Sequence, residues 1–291
     1  MENLYFSEQW GRIWEKIYGG QWEYYCNESP YILHVYIKKP IHYNNTIYYE
    51  LISPYGVSGF YYDKNITAQD IELFLNQFKD HCIKNNYINE FVRFTPSIEL
   101  NDYFYKFYDI KFVSNYYYVD LSKGYDHYLK TAASRHRCCV KNHMCDYKII
   151  VNTSPTIDTF RTFMKIYNIT MNDNNAKSFY FFPESLYSDL LNIKCFIIEL
   201  YKDNELASSS IFIVDNNTLY YFLSGKNSNY KKTHNLTLDV AIKYGIEHNM
   251  TKLILGGGVQ QNDSLERFKK SITPLYEKYY VGNMKYINVT E

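Results

Sequence analysis

The sequence predicts an α/β (α+β) protein of two tandem domains, each a mixed, twisted sheet flanked by helices. Apolar residues at helical spacing alternate with runs rich in aromatic and β-branched residues along the whole chain, and this alternation is typical of layered sheets and helices. The two halves repeat one order of elements, and 291 residues suffice for two ordinary domains. We expect the domains at residues 1–122 and 123–291.

The first half begins with an amphipathic helix at residues 7–18, where Ser7 is a suitable N-cap and Trp10 and Ile13 lie on one face. A longer helix is expected at residues 67–86, because apolar residues recur there at helical spacing. The strand predictions rest on aromatic and β-branched composition. They cover residues 22–27, 31–40, 45–52, 91–98 and 110–121, and a short helix is expected at 100–109.

The second half opens with a basic helix at residues 125–143. Pro183 indicates another helix start, because proline suits the first helical turn. Further helices are expected at 156–171, 183–192, 235–249 and 263–270, and strands at 147–152, 194–203, 206–216, 218–225, 251–258 and 276–288.

The composition excludes some classes of protein. Apolar residues make up 46% of the chain and aromatic residues 19%, while 31 basic and 31 acidic side chains give a net charge of zero. Such a chain is not mainly disordered, and no apolar run reaches the roughly 18–20 residues that span a bilayer. Residues 1–122 carry a charge of −5 and residues 123–291 a charge of +5. An anion site is therefore expected in the second half.

The N-terminus and the cysteines bear on the compartment. Residues 1–7 resemble a protease-site linker that lacks its Gln, so nothing about the fold is inferred from them beyond the cap at Ser7. A basic region followed by an apolar stretch, as in secretory signals, is missing from the N-terminal sequence. Six cysteines are few for this length, so we expect reduced thiols and a cytoplasmic location.

The most suggestive segment for chemistry is residues 253–272. An apolar strand ends in three glycines, including Gly256 and Gly257, and a helix follows with Asp263 as a candidate cap. Glycines let a ligand approach the backbone closely, and a helix N-terminus offers N–H groups to an anion or oxyanion. Lys269 could point back to the same cleft. The alternative is a simple glycine turn before a solvated helix.

Three other segments admit both a functional and a structural interpretation. The lysines of the loop at residues 226–232 could bind phosphate or simply face water. Residues 53–60, SPYGVSGF, could line a substrate cleft or form a turn. Residues 134–146 contain histidines and cysteines that could bind zinc, beside a basic face that suits a phosphate. A second C-x-x-C or H-x-x-x-H pair is missing from the sequence, which argues against zinc.

Seven motifs occur in a characteristic order. They are SPYG at 53–56, RHRxxVK at 135–141, YNITMNDNNA at 167–176, LASSSIF at 206–212, LYYFLSG at 219–225, NLTL at 235–238 and LGGGVxxNDSLxxFK at 255–269. In this order they resemble the Fem-type (FemABX-like) branch of the GNAT acyltransferase superfamily, and related acetyltransferase-like proteins of cell-envelope loci. The resemblance covers nearly the whole chain, and its last motif is the most specific.

The resemblance implies two tandem GNAT-like domains and direct transfer of an acyl group to an amine, as Fem proteins add amino acids from aminoacyl-tRNA to peptidoglycan precursors. It implies that Lys269, the lysine of the F-K pair, stabilises the transition state. It also implies that Arg137 and Lys141 contact a phosphate of the acceptor. Acyl-CoA or aminoacyl-tRNA would serve as co-substrate, with no tightly bound cofactor, and tRNA is a further candidate partner.

We therefore expect a cytoplasmic N-acyltransferase without a metal site or membrane span. Its acceptor would be an amine on a sugar, peptide or nucleotide-linked precursor of the cell wall or a surface polysaccharide. The alternatives are a non-catalytic GNAT-fold module that binds a phosphorylated glycan or RNA, and a zinc-stabilised nucleic-acid binder. Lys269 and Asp263 are the expected catalytic residues, and either Asp263 or a phosphate on the substrate could accept the proton of the amine. The expected substrate-binding residues are Tyr55, Gly56, Arg135, Arg137, Lys141, Tyr221, Gly225, Asn235, Gly256 and Gly257.

Overall fold

The computed structural model describes residues 3–63 and 65–288. The first elements are α1 (Glu8–Tyr18), β1 (Gln21–Glu28), β2 (Tyr31–Tyr43), β3 (Thr46–Ile52), β4 (Phe60–Tyr62), α2 (Ala68–Lys84), β5 (Tyr87–Arg93), α3 (Asp102–Phe107) and β6 (Asp109–Asp120). They are followed by α4 (Tyr125–Thr131), α5 (Ser134–His143), β7 (Lys148–Asn152), α6 (Ile157–Asp173), α7 (Glu184–Leu190), β8 (Cys195–Lys202), β9 (Glu205–Asp215), β10 (Thr218–Lys226), α8 (Thr233–Glu247), β11 (Lys252–Gly256), α9 (Ser264–Lys270) and β12 (Tyr276–Lys285). Every helix in the described part of the chain is too short or too polar to cross a membrane.

The chain divides into two compact units. The first contains the chain up to Ser114 and again from Glu277 onward, and the second contains Asn115–Tyr276. Each unit is a mixed sheet flanked by helices, as predicted. The units differ from the expected ranges, 1–122 and 123–291, mainly because β12 pairs with β5 of the first unit. Sequence order alone does not show which earlier strand a late strand will join.

Residues 3–7 belong to the fold, although the sequence of residues 1–7 resembles a protease-site linker. Tyr5 and Phe6 are only 6% and 3% exposed. The hydroxyl of Ser7 accepts a hydrogen bond from the Trp10 N–H at 3.2 Å and caps α1, as predicted. Tyr5 and Phe6 therefore contribute to the core of the first unit.

The sheet of the first unit has the strand order β1-β2-β3-β5-β12, with β4 beside β2. β2 and β3 form a hairpin, and its turn residues Asn44 and Asn45 both have positive φ, as the common two-residue hairpin turns require. β3 and β5 run parallel and are connected through α2. Phe74 and Leu75 of α2 pack with Val92 of β5 in the apolar core.

A buried polar cluster lies within this first unit. His34 of β2 places Nε2 2.5 Å from a carboxylate oxygen of Glu90 on β5, and its Nδ1 donates to the Gly59 carbonyl at 2.5 Å. The hydroxyls of Tyr108 and Tyr286 both donate to the other Glu90 oxygen. The cluster joins β2 and β5 to the start of β6 and to the C-terminal segment.

The sheet of the second unit has the order β11-β10-β9-β8-β7, and the end of β6 pairs with β11. One face of the sheet packs against α4, α5 and α8, with Phe196, Phe212 and Leu238 in the core. On the other face, α6 contacts β9 and β10. The buried strands β8 and β9 are nearly continuous in apolar and small residues, as two-sided burial requires.

The basic helix predicted at residues 125–143 is two helices, α4 and α5. Ala132 and Ala133 have extended backbone, with ψ of 147° and 145°. The guanidinium of Arg137 donates to the Leu129 carbonyl at 3.2 Å and to the Ala132 carbonyl. Because the last carbonyls of a helix lack partners within it, Arg137 stabilises the break between the helices.

Candidate functional site

The candidate site lies where two parallel strands of the second unit separate. β10 and β11 pair over three rows that end at Tyr220 and Ile254. β10 then has an irregularity between Tyr221 and Leu223, and no later pairing with β11 occurs among the described residues. α8 begins beyond the carboxyl end of β10, and α9 beyond that of β11. In α/β sheets, ligands bind at such an edge, outside the carboxyl ends of the strands.

The parallel pair of the first unit does not open in the same way. β3 and β5 pair up to Ile52 and Phe91, and the N–H of Ser53 continues the ladder to the Phe91 carbonyl at 3.0 Å. The Ser53 hydroxyl also accepts the Arg93 N–H at 2.9 Å. The opening between parallel strands is therefore a feature of the second unit, where the sequence also carries its excess of basic residues.

Lys269 projects from α9 to the glycine-rich end of β11. It is 6% exposed, and its Nζ donates to the Gly257 carbonyl at 2.6 Å. Gly256 has a φ of 78°, and a Cβ at this position would lie 3.3 Å from the Lys269 Nζ. Glycine at residue 256 therefore serves both the turn and the close approach of the lysine. The placement of Lys269 beside these glycines is as the sequence predicts.

The environment of Lys269 changes its titration. Burial lowers the pKa of the ammonium to about 7, against a smaller opposing effect of the Asp263 carboxylate. Both the charged and the neutral form are therefore populated near neutral pH. The neighbouring Lys270 is exposed, as its position on the helix predicts.

Asp263 is the N-cap of α9, and its carboxylate organises the loop after β11. One oxygen accepts the Glu266 N–H at 2.7 Å, and the other accepts the N–H groups of Val259 at 2.6 Å and Gln260 at 3.1 Å. Burial by itself would raise the pKa of Asp263, but these backbone hydrogen bonds outweigh it and the pKa is lowered. This geometry supports a capping role better than the predicted role of proton acceptor.

Glu266 is a site residue that the sequence did not single out. It is 3% exposed, and its carboxylate accepts the N–H groups of Asn115 at 3.2 Å and Asn262 at 2.5 Å. It thus holds the loop before α9 to the backbone of β6. The available signal is the spacing of Asp263 and Glu266, which is that of an N-cap residue and its N3 partner.

His234, the second residue of α8, is another residue that sequence reasoning missed. Its Nε2 is buried and has no hydrogen-bond partner in the described chain. Its ring centroid lies 6.3 Å from that of Phe268, the residue before Lys269. Burial, with the nearby Lys226 charge, lowers the pKa of His234 to about 4. No pattern in the sequence distinguishes this histidine from a surface one.

Tyr221 and Gly225 of β10 have different roles. Tyr221 lies at the irregularity of β10, and its ring centroid is 5.5 Å from that of Phe212. Burial raises the pKa of its phenol to about 12, so it stays protonated and can donate a hydrogen bond. At Gly225, a Cβ would lie 2.6 Å from the backbone nitrogen of Tyr167. Gly225 therefore lets α6 approach the sheet, and nothing in its surroundings indicates ligand binding.

Asn235 belongs to a buried hydrogen-bonded chain. Its Oδ1 lies 2.8 Å from Nδ1 of His136, whose Nε2 in turn contacts the Tyr128 hydroxyl. Both ring nitrogens of His136 are thus occupied, which leaves neither for a zinc ion. Within residues 3–63 and 65–288, no group of three His, Cys, Asp or Glu side chains could hold a metal.

The basic residues of α5 are only partly brought to the site. Arg135 donates to the Arg267 carbonyl of α9 at 3.0 Å, so its guanidinium borders the candidate site. Arg137 is used at the break between α4 and α5. Lys141 is exposed.

Tyr55 and Gly56 lie in the first unit, where helix α1 holds their loop. The Tyr55 ring stacks on Trp14 with centroids 4.7 Å apart, and the Trp10 Nε1–H donates to the Tyr55 carbonyl at 2.8 Å. Gly56 has a φ of 104°, and a Cβ there would lie 2.6 Å from the ring of Tyr5. These contacts explain the SPYG motif as a packed turn of the first unit.

Comparison with known proteins finds similarity of structure. No protein-family model and no curated protein matches this sequence. A crystal structure of FemX superposes with a TM-score of 0.71 and 12% identity, covering 98% of this chain and 92% of that one. L-PGS from Bacillus licheniformis superposes with a TM-score of 0.61 and 13% identity, covering 98% of this chain and 94% of that one. A tandem GNAT protein from the clavulanic acid biosynthesis pathway superposes with a TM-score of 0.52 and 8% identity, covering 89% of this chain and 84% of that one. The chain therefore has the FemABX-like, tandem GNAT fold that its sequence motifs indicate.

Proposed function

We propose that this protein is a cytoplasmic N-acyltransferase. It would move an acetyl or aminoacyl group from acyl-CoA or aminoacyl-tRNA to an amine of a cell-surface polysaccharide or peptidoglycan-type precursor. The observation that carries the proposal is the buried Lys269, whose Nζ lies at the glycine end of β11 where β10 and β11 separate. The tandem GNAT fold supports the reaction class, and the motif order supports the precursor as acceptor.

The chemistry follows from the placement of that lysine. The acceptor amine attacks the carbonyl carbon of an ester or thioester, and negative charge develops on the carbonyl oxygen. The Lys269 ammonium stabilises this charge from a site that excludes water, an interaction typically worth about 3 kcal/mol per donor. The leaving alcohol or thiol then departs, and no covalent enzyme intermediate is needed. The ammonium form is available because the pKa of Lys269 is about 7.

The proton lost by the amine needs an acceptor other than Asp263. The Asp263 oxygens hold three backbone N–H groups, and the lowered pKa makes the carboxylate a weak base. A phosphate on the substrate is the remaining candidate, and a terminal phosphate monoester, with a second pKa of about 6, can take up the proton near neutral pH. We therefore assign Asp263 to positioning α9, and through it Lys269.

The donor is defined less closely. The loop between β10 and α8 has no glycine-rich sequence for a pyrophosphate. Of its lysines, Lys232 has a φ of 67° and its Nζ lies 3.2 Å from Nε2 of His143. This contact directs the lysine toward α5 instead of the start of α8. The loop therefore favours weak binding of acetyl-CoA, and aminoacyl-tRNA stays an equal candidate.

The test is a transfer assay with paired variants. Purified protein is incubated with acetyl-CoA or charged tRNA and with amine-bearing sugars, peptides and nucleotide-linked precursors. Lys269→Met is expected to lower turnover by about 10²–10³-fold. The exposed neighbour Lys270→Met is the matched control and is expected to leave turnover unchanged. Equal effects of the two substitutions would contradict the role of Lys269.

A non-catalytic module that binds a phosphorylated glycan or RNA is the second candidate. Lys141 and Arg137 lie on an exposed face of α5, and neither has a carboxylate partner in the described chain. Binding of such a ligand without transfer from any donor, and with loss of binding in Lys141→Ala, would favour this candidate.

A further inference from the structure

The first turn of α8 contains buried polar atoms without partners. Nε2 of His234 and the hydroxyls of Thr233 and Thr237 are all inaccessible to water and form no hydrogen bond in the described chain. Thr233 and Thr237 are fully buried. A buried polar atom without a partner costs about 1–3 kcal/mol, so such groups usually indicate a missing water or ligand. Of the three, the imidazole has the longest reach from the helix.

The position of His234 relates it to the catalytic lysine. α8 follows β10 and α9 follows β11, and these two strands are parallel neighbours. The carboxyl ends of parallel strands meet at the same edge of a sheet. His234 and Lys269 therefore lie on the two helices that follow neighbouring parallel strands, and the ring of His234 contacts Phe268, the residue before Lys269, with centroids 6.3 Å apart.

The charge state of His234 also follows from its position. An imidazolium near a helix N-terminus would oppose the positive end of the helix dipole, and burial disfavours the charge further. Burial, and after it the nearby charge of Lys226, lower the pKa of His234 to about 4. A neutral imidazole carries one N–H and one lone pair. Neutral histidines can polarise a carbonyl by donating a hydrogen bond.

We propose that His234 donates a hydrogen bond from Nε2 to the carbonyl oxygen of the transferred acyl group, from α8, while Lys269 acts from α9. This inference rests on the proposed acyl transfer and adds a catalytic residue to it. No proton leaves the imidazole; the N–H bond stays intact while the oxygen becomes more negative. The oxygen thus receives a neutral donor from α8 and a cationic donor from α9.

The kinetic test compares two substitutions. Gln places an amide N–H near the position of Nε2, so His234→Gln should retain turnover within about fivefold. Leu fills the space without a donor, so His234→Leu should lower turnover about 10–100-fold with little change in KM. Thermal unfolding of both variants checks that the fold is retained. Equal losses of turnover in the two variants, or no loss of turnover in His234→Leu, would overturn the proposal.

A second measurement is independent of activity. In a protein labelled with ¹⁵N-histidine, the His234 signal is assigned by its disappearance in His234→Gln. The proposal requires a protonated Nε2 and an unprotonated Nδ1 from about pH 5.5 to 8. An unprotonated Nε2 or an imidazolium would overturn it. Transfer that depends on Lys269 but not on His234 overturns this inference alone, whereas absence of transfer from every donor overturns the proposed function.

Discussion

Replacing Lys269 by Met should change how the stability of this protein depends on pH. In the folded state the pKa of Lys269 is about 7, whereas an unfolded lysine titrates near its ordinary 10.5. Between these values the unfolded chain binds more protons at this residue than the folded one. The free energy of unfolding of the native protein therefore rises as pH increases from about 7 to 10.5, and this contribution is constant below about 7.

The size of the effect follows from the shift. A shift from 10.5 to about 7 corresponds to on the order of 5 kcal/mol across the whole window. Local relaxation around the ammonium makes this an upper bound, so we expect 1–3 kcal/mol between about pH 7 and 9. Lys269→Met also removes the hydrogen bond to Gly257, but that loss is a constant offset that leaves the slope against pH unaffected.

Urea unfolding at several pH values measures this slope. The difference in unfolding free energy between the native protein and Lys269→Met should grow in favour of the native protein as pH rises from about 7 to 9. Lys270→Met changes an exposed lysine, so its unfolding free energy should depend on pH in the same way as that of the native protein. A pH-independent difference between the native protein and Lys269→Met would refute the burial argument for this lysine.

Three further predictions concern the surroundings of the site. Asp263→Asn should keep transfer activity but lower the unfolding free energy by about 1 kcal/mol, because the amide has one acceptor oxygen where the carboxylate has two. Asp263→Ala should lower the unfolding free energy by about 1–2 kcal/mol, and a strong loss of transfer in Asp263→Asn would restore Asp263 as a base. Gly225→Ala should lower the unfolding free energy, measured in urea, by about 1–3 kcal/mol, because the new Cβ meets the backbone of α6. An unchanged urea midpoint would contradict that contact. Calorimetry should detect only weak binding of acetyl-CoA, and a sub-micromolar dissociation constant would place the protein among ordinary acetyltransferases instead.

Periodicity and turn chemistry predict most elements of the fold. The cap at Ser7 and the two-unit plan are examples, since both depend on local sequence or on the repetition of element order. The break after Ala132 was not predicted, because it depends on an arginine side chain that reaches back to carbonyls of the previous helix. The return of β12 to the first unit was missed for a related reason, since strand pairing is a non-local property.

The same distinction applies to the candidate site. Lys269 and its glycines were found because they are close in sequence and carry a family motif. His234 has no signal in the sequence, because its significance lies in burial. The spacing of Glu266 from Asp263 indicates a helix cap, but it does not reveal the contacts of Glu266 with the backbone of Asn115 and Asn262. Tyr55, Gly56 and Gly225 were chosen for their motifs, and the structure gives each a packing explanation. A residue within a family-like motif can thus be explained by packing of the fold alone.

The buried cluster around Glu90 has a consequence for synthesis of the chain. Its four other members include Tyr286, which the ribosome adds 196 positions after Glu90, and β12 is also made after every strand of the second unit. The second unit can therefore complete its sheet while the first still lacks a strand and a hydroxyl for its buried carboxylate. Contacts this distant in sequence form slowly. During translation, the part of the molecule that is made first should thus be the last to reach its final form.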